Sequence, residues 1–404
     1  GRQAASFGRA ALVLAMARFA RSSRQQGCTS QSRRHSRAAM RRAANADAEP
    51  MEFHVAPMVG VTHKHYRQLM RLISSQAILW TEMLVAPVHL RRKKAQTYLD
   101  YHAAQQPVVL QVAGSRPAEL SKGVALAAPW GYSEINLNCG CPNQGSHGVN
   151  LMRDPSRAAA IVTAMQEAAG QTPVSVKCRL CAYSHSELDG SELNAESEYE
   201  SLRSFVEPVR QAGVRRFYIH ARAAVVGGTH THVWNREVPP LRPELAHRLA
   251  SEYPDLEVIV NGGIGDIESA RAVCKRPLRG VMVARAVRDS PFAWSTLDKQ
   301  WYGIEASVSR TRRRVLEAYL DYAEEYLASD LPTWEQMNLD AVRGRLAFPL
   351  LDIFAGELGS DEWRRTLVLW IRGEETTGSS FRAAVRRAAE SLPEELLDSD
   401  LTGE

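Results

Sequence analysis

INLNCGCP (Ile135–Pro142) reads as a buried strand that runs straight into a cysteine-bearing turn. Asn136 and Asn138 alternate with Ile135 and Leu137, so the carboxamides face one way and the aliphatic side chains the other. Gly140 permits a sharp turn, and Pro142 stiffens the chain just after Cys141. A thiol is thereby held at the carboxyl end of a strand, beside amide donors and acceptors. Alone, the stretch fits a tight structural turn equally well, and its flanks decide the fold.

Outward from it, short apolar runs recur between helix-like stretches. They are Glu52–Ala56, Ala77–Glu82, Val108–Val112, Glu134–Leu137, Val174–Cys178, Arg216–His220, Glu257–Val260 and Gly280–Val283. Eight such units over roughly 240 residues predict an α/β fold, a TIM (β/α)8 barrel spanning residues 49–300. An open doubly wound sheet would not need eight, and no G-x-G-x-x-G follows the first strand. The strands end, in order, at Pro57-Met58, Glu82, Gln111, Asn138, Lys177, His220, Asn261-Gly262-Gly263 and Arg285. Barrel active sites form at the carboxyl ends of strands, so these groups are expected around one mouth.

Two strand ends suggest a phosphate. VIVNGGIGD (258–266) closes the seventh strand with a glycine pair, and Ile267–Val273 can supply a helix start; VMVARAV (281–287) closes the eighth with Arg285. Loops after strands seven and eight of a barrel recurrently bind phosphate, so a phosphate-bearing cofactor is expected there. In PVSVKCR, Ser175, Lys177 and Arg179 share one face, while Val174, Val176 and Cys178 face the helices. A lysine at the mouth suits the electron-rich edge of a reduced flavin, and Gln111 could hydrogen-bond its polar edge. Cys139, Cys141, Cys178 and Cys181 on neighbouring strands raise a zinc site, but alternation turns Cys178 away and no metal is expected.

The chain has 404 residues, room for a barrel and a small second domain. No run approaches the ~18 apolar residues of a membrane span. Six scattered cysteines do not resemble a secreted disulfide framework. Residues 1–46 hold ten arginines and no acid, the profile of a transit peptide for a mitochondrion or chloroplast; a basic RNA-binding arm is the alternative. Without those ten, 40 basic residues face 45 acidic ones, so nucleic-acid affinity must come from local patches. Residues 301–390 read as a helical domain, with Val315, Tyr319, Tyr322 and Tyr326 at helical spacing and read as core. The 12 basic and 20 acidic residues of 301–404 leave two arginine clusters, Arg310–Arg314 and Arg382–Arg387, as phosphate grips. Residues 391–404 are expected to form a disordered acidic tail.

VAPMVGVT (55–62), LWTEML (79–84), PVVLQVAGS (107–115), GYSEINLNCGCPN (131–143), PVSVKCR (173–179), FYIHARA (217–223), NREVPPL (235–241), VIVNGGI (258–264) and GVMVARA (280–286) occur in one order across most of the chain. Together they resemble the tRNA dihydrouridine synthases, with NREVPPL most similar to the DusA-type branch. The resemblance implies an FMN enzyme that reduces the C5–C6 bond of selected D-loop uridines in tRNA with NADPH as reductant. Hydride would pass from flavin N5 to C6, and Cys141 would protonate C5. FMN contacts carried over by motif are Pro57, Met58, Val59, Gln111, Lys177, His220, Asn261, Gly262, Gly263, Ala284 and Arg285. Asn138, Arg179 and Arg222 would hold the extruded uridine. Asn235 and Arg236 would orient tRNA, and the helical domain would clamp it. A monomer is expected.

The chain departs from the family's pattern in three places. The loop PNQGSHGVNLM after Cys141 is shorter than usual, Ala284 replaces a glycine, and an acidic run, SHSELDGSELNAESEYE (184–200), reads as a solvated loop. Two other readings share part of the pattern: a flavin reductase of small molecules, and a tRNA-binding chaperone with little activity.

Overall fold

The computed structural model describes residues 50–90, 95–142, 146–184, 187, 194–227, 235, 237, 239–305, 310–329, 331, 333–336, 338–374 and 380–401. The transit-like segment and Arg236 therefore lie outside the described residues.

Eight parallel strands form the central sheet: β1 (Glu52–Val55), β2 (Leu79–Val85), β3 (Val108–Ala113), β4 (Glu134–Cys139), β5 (Val174–Arg179), β6 (Arg216–His220), β7 (Glu257–Asn261) and β8 (Gly280–Val283). They run in the order β1-β8-β7-β6-β5-β4-β3-β2. The sheet closes on itself through a parallel bridge between His54 and Ile78. There Val55 N–H donates to Ile78 O and Ile78 N–H to Phe53 O, each at 2.9 Å. This is the expected TIM barrel. Most strand ends shift by one or two residues; the largest difference is at β2, which starts at Leu79 and continues past Glu82 to Val85, and its pairing with β3 shifts between Trp80 and Met83. An irregularity of that kind re-aims side chains near a barrel rim.

Helices α1 (Lys64–Ile73), α2 (Pro117–Ala127), α3 (Pro155–Ala169), α4 (Ala195–Gln211), α5 (Pro243–Glu252) and α6 (Ile267–Val273) follow the strands. Local chemistry sets their ends. The Asp154 side chain accepts from Arg157 N–H at the start of α3, and Pro155 occupies its first turn, where no N–H is needed. The acidic run after Ser184 is partly helix, because α4 begins at Ala195 behind its Asn194 cap.

Alternation divides each strand between two cores. Ile135, Leu137, Cys139, Val176 and Cys178 belong to the main apolar layer between strands and helices. Burying each such Leu, Ile or Val contributes about 1.5–3 kcal/mol. Ala56, Trp80, Val109, Tyr218, Ile259 and Met282 form a separate small cluster. At the amino ends of the strands lies a floor of paired charges. Arg216 meets Glu257 at 2.7 Å, Glu52 at 3.1 Å and Glu134 at 3.4 Å, and Arg279 reaches Glu52 at 3.2 Å. The indole N–H of Trp80 donates to His54 Nδ1 at 3.2 Å, so neutral His54 carries its proton on Nε2, 2.9 Å from Glu52. Burial would raise the Glu52 carboxyl, but His54, Arg216 and Arg279 hold it at about 2.

The helical region comprises α7 (Arg312–Ala328), α8 (Leu339–Ala347), α9 (Ser360–Arg372), α10 (Phe381–Ala389) and α11 (Glu394–Asp398). It packs on the barrel through α1. His65 Nδ1 lies 2.9 Å from the Tyr322 hydroxyl, and Lys64 reaches Glu335 and Asp100, both at 3.1 Å. Val315, Tyr319 and Tyr322 are buried, as their spacing predicts.

Two expectations are corrected here. Residues 391–401 are no disordered tail: α11 forms, and Leu392, Leu397 and Leu401 are buried. Leu401 N–H donates to Arg310 O at 2.7 Å, tying the segment to the start of α7. Leucines interleaved among its acids give the segment an apolar side. The arginine clusters, in turn, are engaged within the domain. Arg382 pairs with Glu317, Asp321 and Glu324, Arg386 with Glu317, and Arg313 with Glu394 and Asp398.

Candidate active site

The carboxyl ends of the strands surround a cavity of about 580 Å³, within the range that holds a cofactor-sized ligand. Of the residues singled out from sequence, Pro57, Val59, Gln111, Asn138, Cys141, Lys177, Arg179, His220, Arg222, Asn235, Asn261, Gly262, Gly263, Ala284 and Arg285 all line it. Met58 does not; it packs against the main core, and its N–H donates to Thr62 Oγ1 at 3.0 Å. Glu82 is also drawn off, its carboxylate accepting from Gly60 N–H at 2.6 Å to brace the loop after β1.

The cavity is strongly cationic. Lys177 Nζ donates to Asn261 Oδ1 at 3.1 Å, and Arg179 donates to the carbonyls of Gly140 at 3.0 Å and Ala223 at 3.1 Å. Arg222 donates to Pro239 O, and Arg285 stands exposed on the wall. Among the described residues the partners of Lys177, Arg179 and Arg222 are amide and carbonyl oxygens, not carboxylates. Burial, reinforced by Arg179, lowers Lys177 to about 8. Burial also lowers Arg179 to about 10. His220 is pushed well below its ordinary value by burial and by Arg179 and Lys177, so it is neutral at pH 7. An anion entering here relieves repulsion among the cations.

A glycine cradle follows Asn261, the partner of Lys177. Gly262 has φ +121° and Gly263 φ +71°. A Cβ on Gly262 would come within 2.9 Å of both His220 and Leu241, and one on Gly263 would strike Leu241. Only glycine leaves that space open. The helix start expected to help is otherwise occupied: Asp266 caps α6 by accepting from Ser269 N–H at 2.7 Å. A phosphate would thus be met by the glycine backbone and Arg285. Together the cavity size, cradle and cations fit a flavin mononucleotide.

Cys141 sits on the turn after β4. Its N–H donates to Asn138 Oδ1 at 2.9 Å, as does Gly140 N–H at 3.1 Å. Cys141 O accepts from Val149 N–H at 2.9 Å, closing the loop whose residues 143–145 lie outside the described ones. Gly148 makes that closure possible. It has φ +64°, and a Cβ there would strike Cys141 O. Sequence reasoning missed it, although a glycine seven residues past a reactive turn was a usable signal. Met83, Leu241, Ile264 and Met282, also lining, carry no polar group by which to find them.

The cysteines on β4 and β5 face as alternation required, and Cys181 is buried outside the cavity lining. Cys139 and Cys178 lie in the apolar layer behind the strands, and only Cys141 faces the cavity. Burial raises the Cys178 thiol to about 12. Among the described residues no three His, Cys, Asp or Glu side chains are grouped to hold a metal. Asn235 lines the cavity and is also tied into its own loop. Its Oδ1 accepts from Val225 N–H at 2.8 Å and its Nδ2 donates to Val225 O at 2.7 Å. The carboxamide braces the loop after β6 internally, and the Asn235 carbonyl accepts from Arg179 of β5 at 3.3 Å.

The sequence model of dihydrouridine synthase matches residues 54–368, which takes in the barrel and most of the helical region. The chain belongs to the dihydrouridine synthase family. A tRNA-dihydrouridine(20/20a) synthase of Synechocystis is 33% identical over 326 residues, covering 80% of this chain and 90% of the relative. The enzyme of the same name from Shewanella oneidensis is 35% identical over 322 residues, 78% and 87% of the two chains. That from Vibrio vulnificus is 31% identical over 347 residues, 85% and 97%. The matched span of this dihydrouridine synthase contains every residue that lines the cavity.

Proposed function

We propose that this dihydrouridine synthase reduces the C5–C6 double bond of a D-loop uridine in tRNA, at position 20 or 20a, with FMN as cofactor and NADPH as reductant. The observation that carries the reading is Cys141 on the wall of a cationic, glycine-cradled cavity that fits the cofactor. When bound, the flavin supplies the hydride that adds at uracil C6.

The protein's own groups do the rest. Arg285 and the Gly262-Gly263 backbone hold the phosphate, and Lys177 faces the edge where negative charge accumulates. Asn138, Arg179 and Arg222 receive the extruded base. Cys141 carries a proton on Sγ and gives it to C5 as the enolate-like charge develops. Gln111 and Asn138 orient the two ring systems. The protein acts as a monomer, and residues 1–48 direct it to a mitochondrion or chloroplast.

Purified protein, checked for bound FMN, is to be incubated with NADPH and unmodified tRNA, and dihydrouridine measured by mass spectrometry. Dihydrouridine at position 20 or 20a that disappears in Cys141→Ala supports the reading. NADPH oxidation with unmodified tRNA would point instead to a small-molecule reductase. Size-exclusion chromatography with light scattering tests the monomer, and a fluorescent fusion of the full chain tests the destination.

A further inference from the structure

A one-way chain of hydrogen bonds descends from the catalytic turn into the barrel. Gly140 and Cys141 N–H groups can only donate, so they fix Asn138 Oδ1 as acceptor. Asn138 Nδ2 then donates to Gln111 Oε1 at 2.9 Å, and Gln111 Nε2 to Asn136 Oδ1 at 2.9 Å. Asn136 Nδ2 donates to Ser175 Oγ at 2.7 Å, and the Ser175 hydroxyl donates to Glu134. Glu134 is held in turn by Tyr218 at 3.2 Å and Arg216 at 3.4 Å. Each carboxamide has a single consistent sense, because reversing any one sets two donors or two acceptors face to face.

Gln111 and Asn138 line the cavity, whereas Asn136, Ser175 and Glu134 do not. Asn136 is wholly buried and set behind the cavity wall. We propose that Asn136 is a positioning residue: with Ser175 and Glu134 beneath it, it fixes which end of the Gln111 carboxamide faces the cavity. With its Oε1 taken by Asn138 and one Nε2 hydrogen by Asn136, Gln111 is left with an N–H to offer. That wall therefore presents donors, suited to a ligand with carbonyl and ring-nitrogen acceptors along one edge. The inference rests on the flavin reading and goes beyond it by assigning residues behind the cavity wall.

The test compares Asn136→Ala, Ser175→Ala and Tyr218→Phe with wild type for FMN dissociation constant, bound-flavin absorption spectrum and thermal midpoint. Tyr218→Phe removes a hydrogen bond to the same Glu134 carboxylate but lies off the chain. Asn136→Ala is expected to weaken FMN about tenfold, as for a buried group left without its partner, and to shift the visible bands. Ser175→Ala shifts them the same way, and the double variant matches Asn136→Ala because the chain is already cut. Tyr218→Phe leaves affinity and spectrum unchanged whatever its midpoint. Folded Asn136→Ala or, should that variant not fold, Ser175→Ala with wild-type affinity and spectrum overturns the positioning role alone. A wild-type protein that takes up no FMN overturns the flavin reading and this inference with it.

Discussion

The two ends of the barrel hold similar charged side chains and treat them in opposite ways. At the floor, Arg216 is surrounded by Glu52, Glu134 and Glu257, each within 3.4 Å. At the mouth, Lys177, Arg179 and Arg222 have carbonyl and carboxamide oxygens as partners. The floor is compensated from within, and its charges serve the fold, Glu134 also anchoring the chain that leads to Gln111. The mouth keeps its positive charge for an anion that arrives from outside. Counter-charge, rather than residue type, separates structural from functional cations here.

The largest effect expected at the mouth is chemical. Cys141→Ala should lower dihydrouridine formation by about 10²–10⁴, the usual contribution of a positioned acid, while FMN affinity and thermal midpoint stay unchanged. Rapid-mixing assays with reduced enzyme and tRNA would check it. At the floor the effect should be one of stability. Arg216→Met removes the cation shared by three carboxylates, although Glu52 keeps Arg279 and Glu134 keeps Ser175 and Tyr218, and should cost about 3 kcal/mol, the lower end of the range for broken buried pairs, since that side chain is 22% exposed. Denaturant unfolding would measure this. If instead the floor variant lost activity at unchanged stability, the division of labour between the two ends would fail. Gly148→Ala should fall between: crowding Cys141 O, it should slow turnover about tenfold without weakening FMN.

What was legible in the sequence follows the same division. Period-two alternation placed Ser175 and Lys177 inward and Cys178 outward, because a strand leaves a side chain only two directions. The mouth was legible because its groups sit at strand ends in an order the barrel closes into a ring. The floor was not: Glu52, Glu134 and Arg216 open their strands, and no pattern tells that they meet. The arginine clusters misled for a related reason. A run of arginines in sequence does not say which acids face it. Glu317, Asp321 and Glu324 are spaced four and three apart, one face of α7, and that spacing does point to a partner such as Arg382. The leucines hidden among the acids after Glu390 carried the same kind of signal, outweighed by composition.

The smallest effect sharpens the comparison most, because it asks whether one mouth cation is spare. Lys177 is held at about 8, below its ordinary 10.5. Between those values the unfolded chain binds a proton that the folded protein has released, so stability without ligand should rise with pH across that window. Below pH 8 the buried charge costs stability in full. Ligand binding should run the other way. Above pH 8 the cavity loses one positive charge, and FMN affinity should drop about fivefold between pH 7 and 9, the ~1 kcal/mol of one charge contact in a wet site. Lys177→Met should abolish both trends, raising stability at pH 7 and flattening the affinity profile. Unfolding and FMN titrations of wild type and variant at the same pH values would show it. If affinity stayed flat in the wild type, the incoming anion would be neutralised by Arg285 and the glycine backbone without Lys177. The contrast between the ends of the barrel would then narrow to the phosphate end of the mouth.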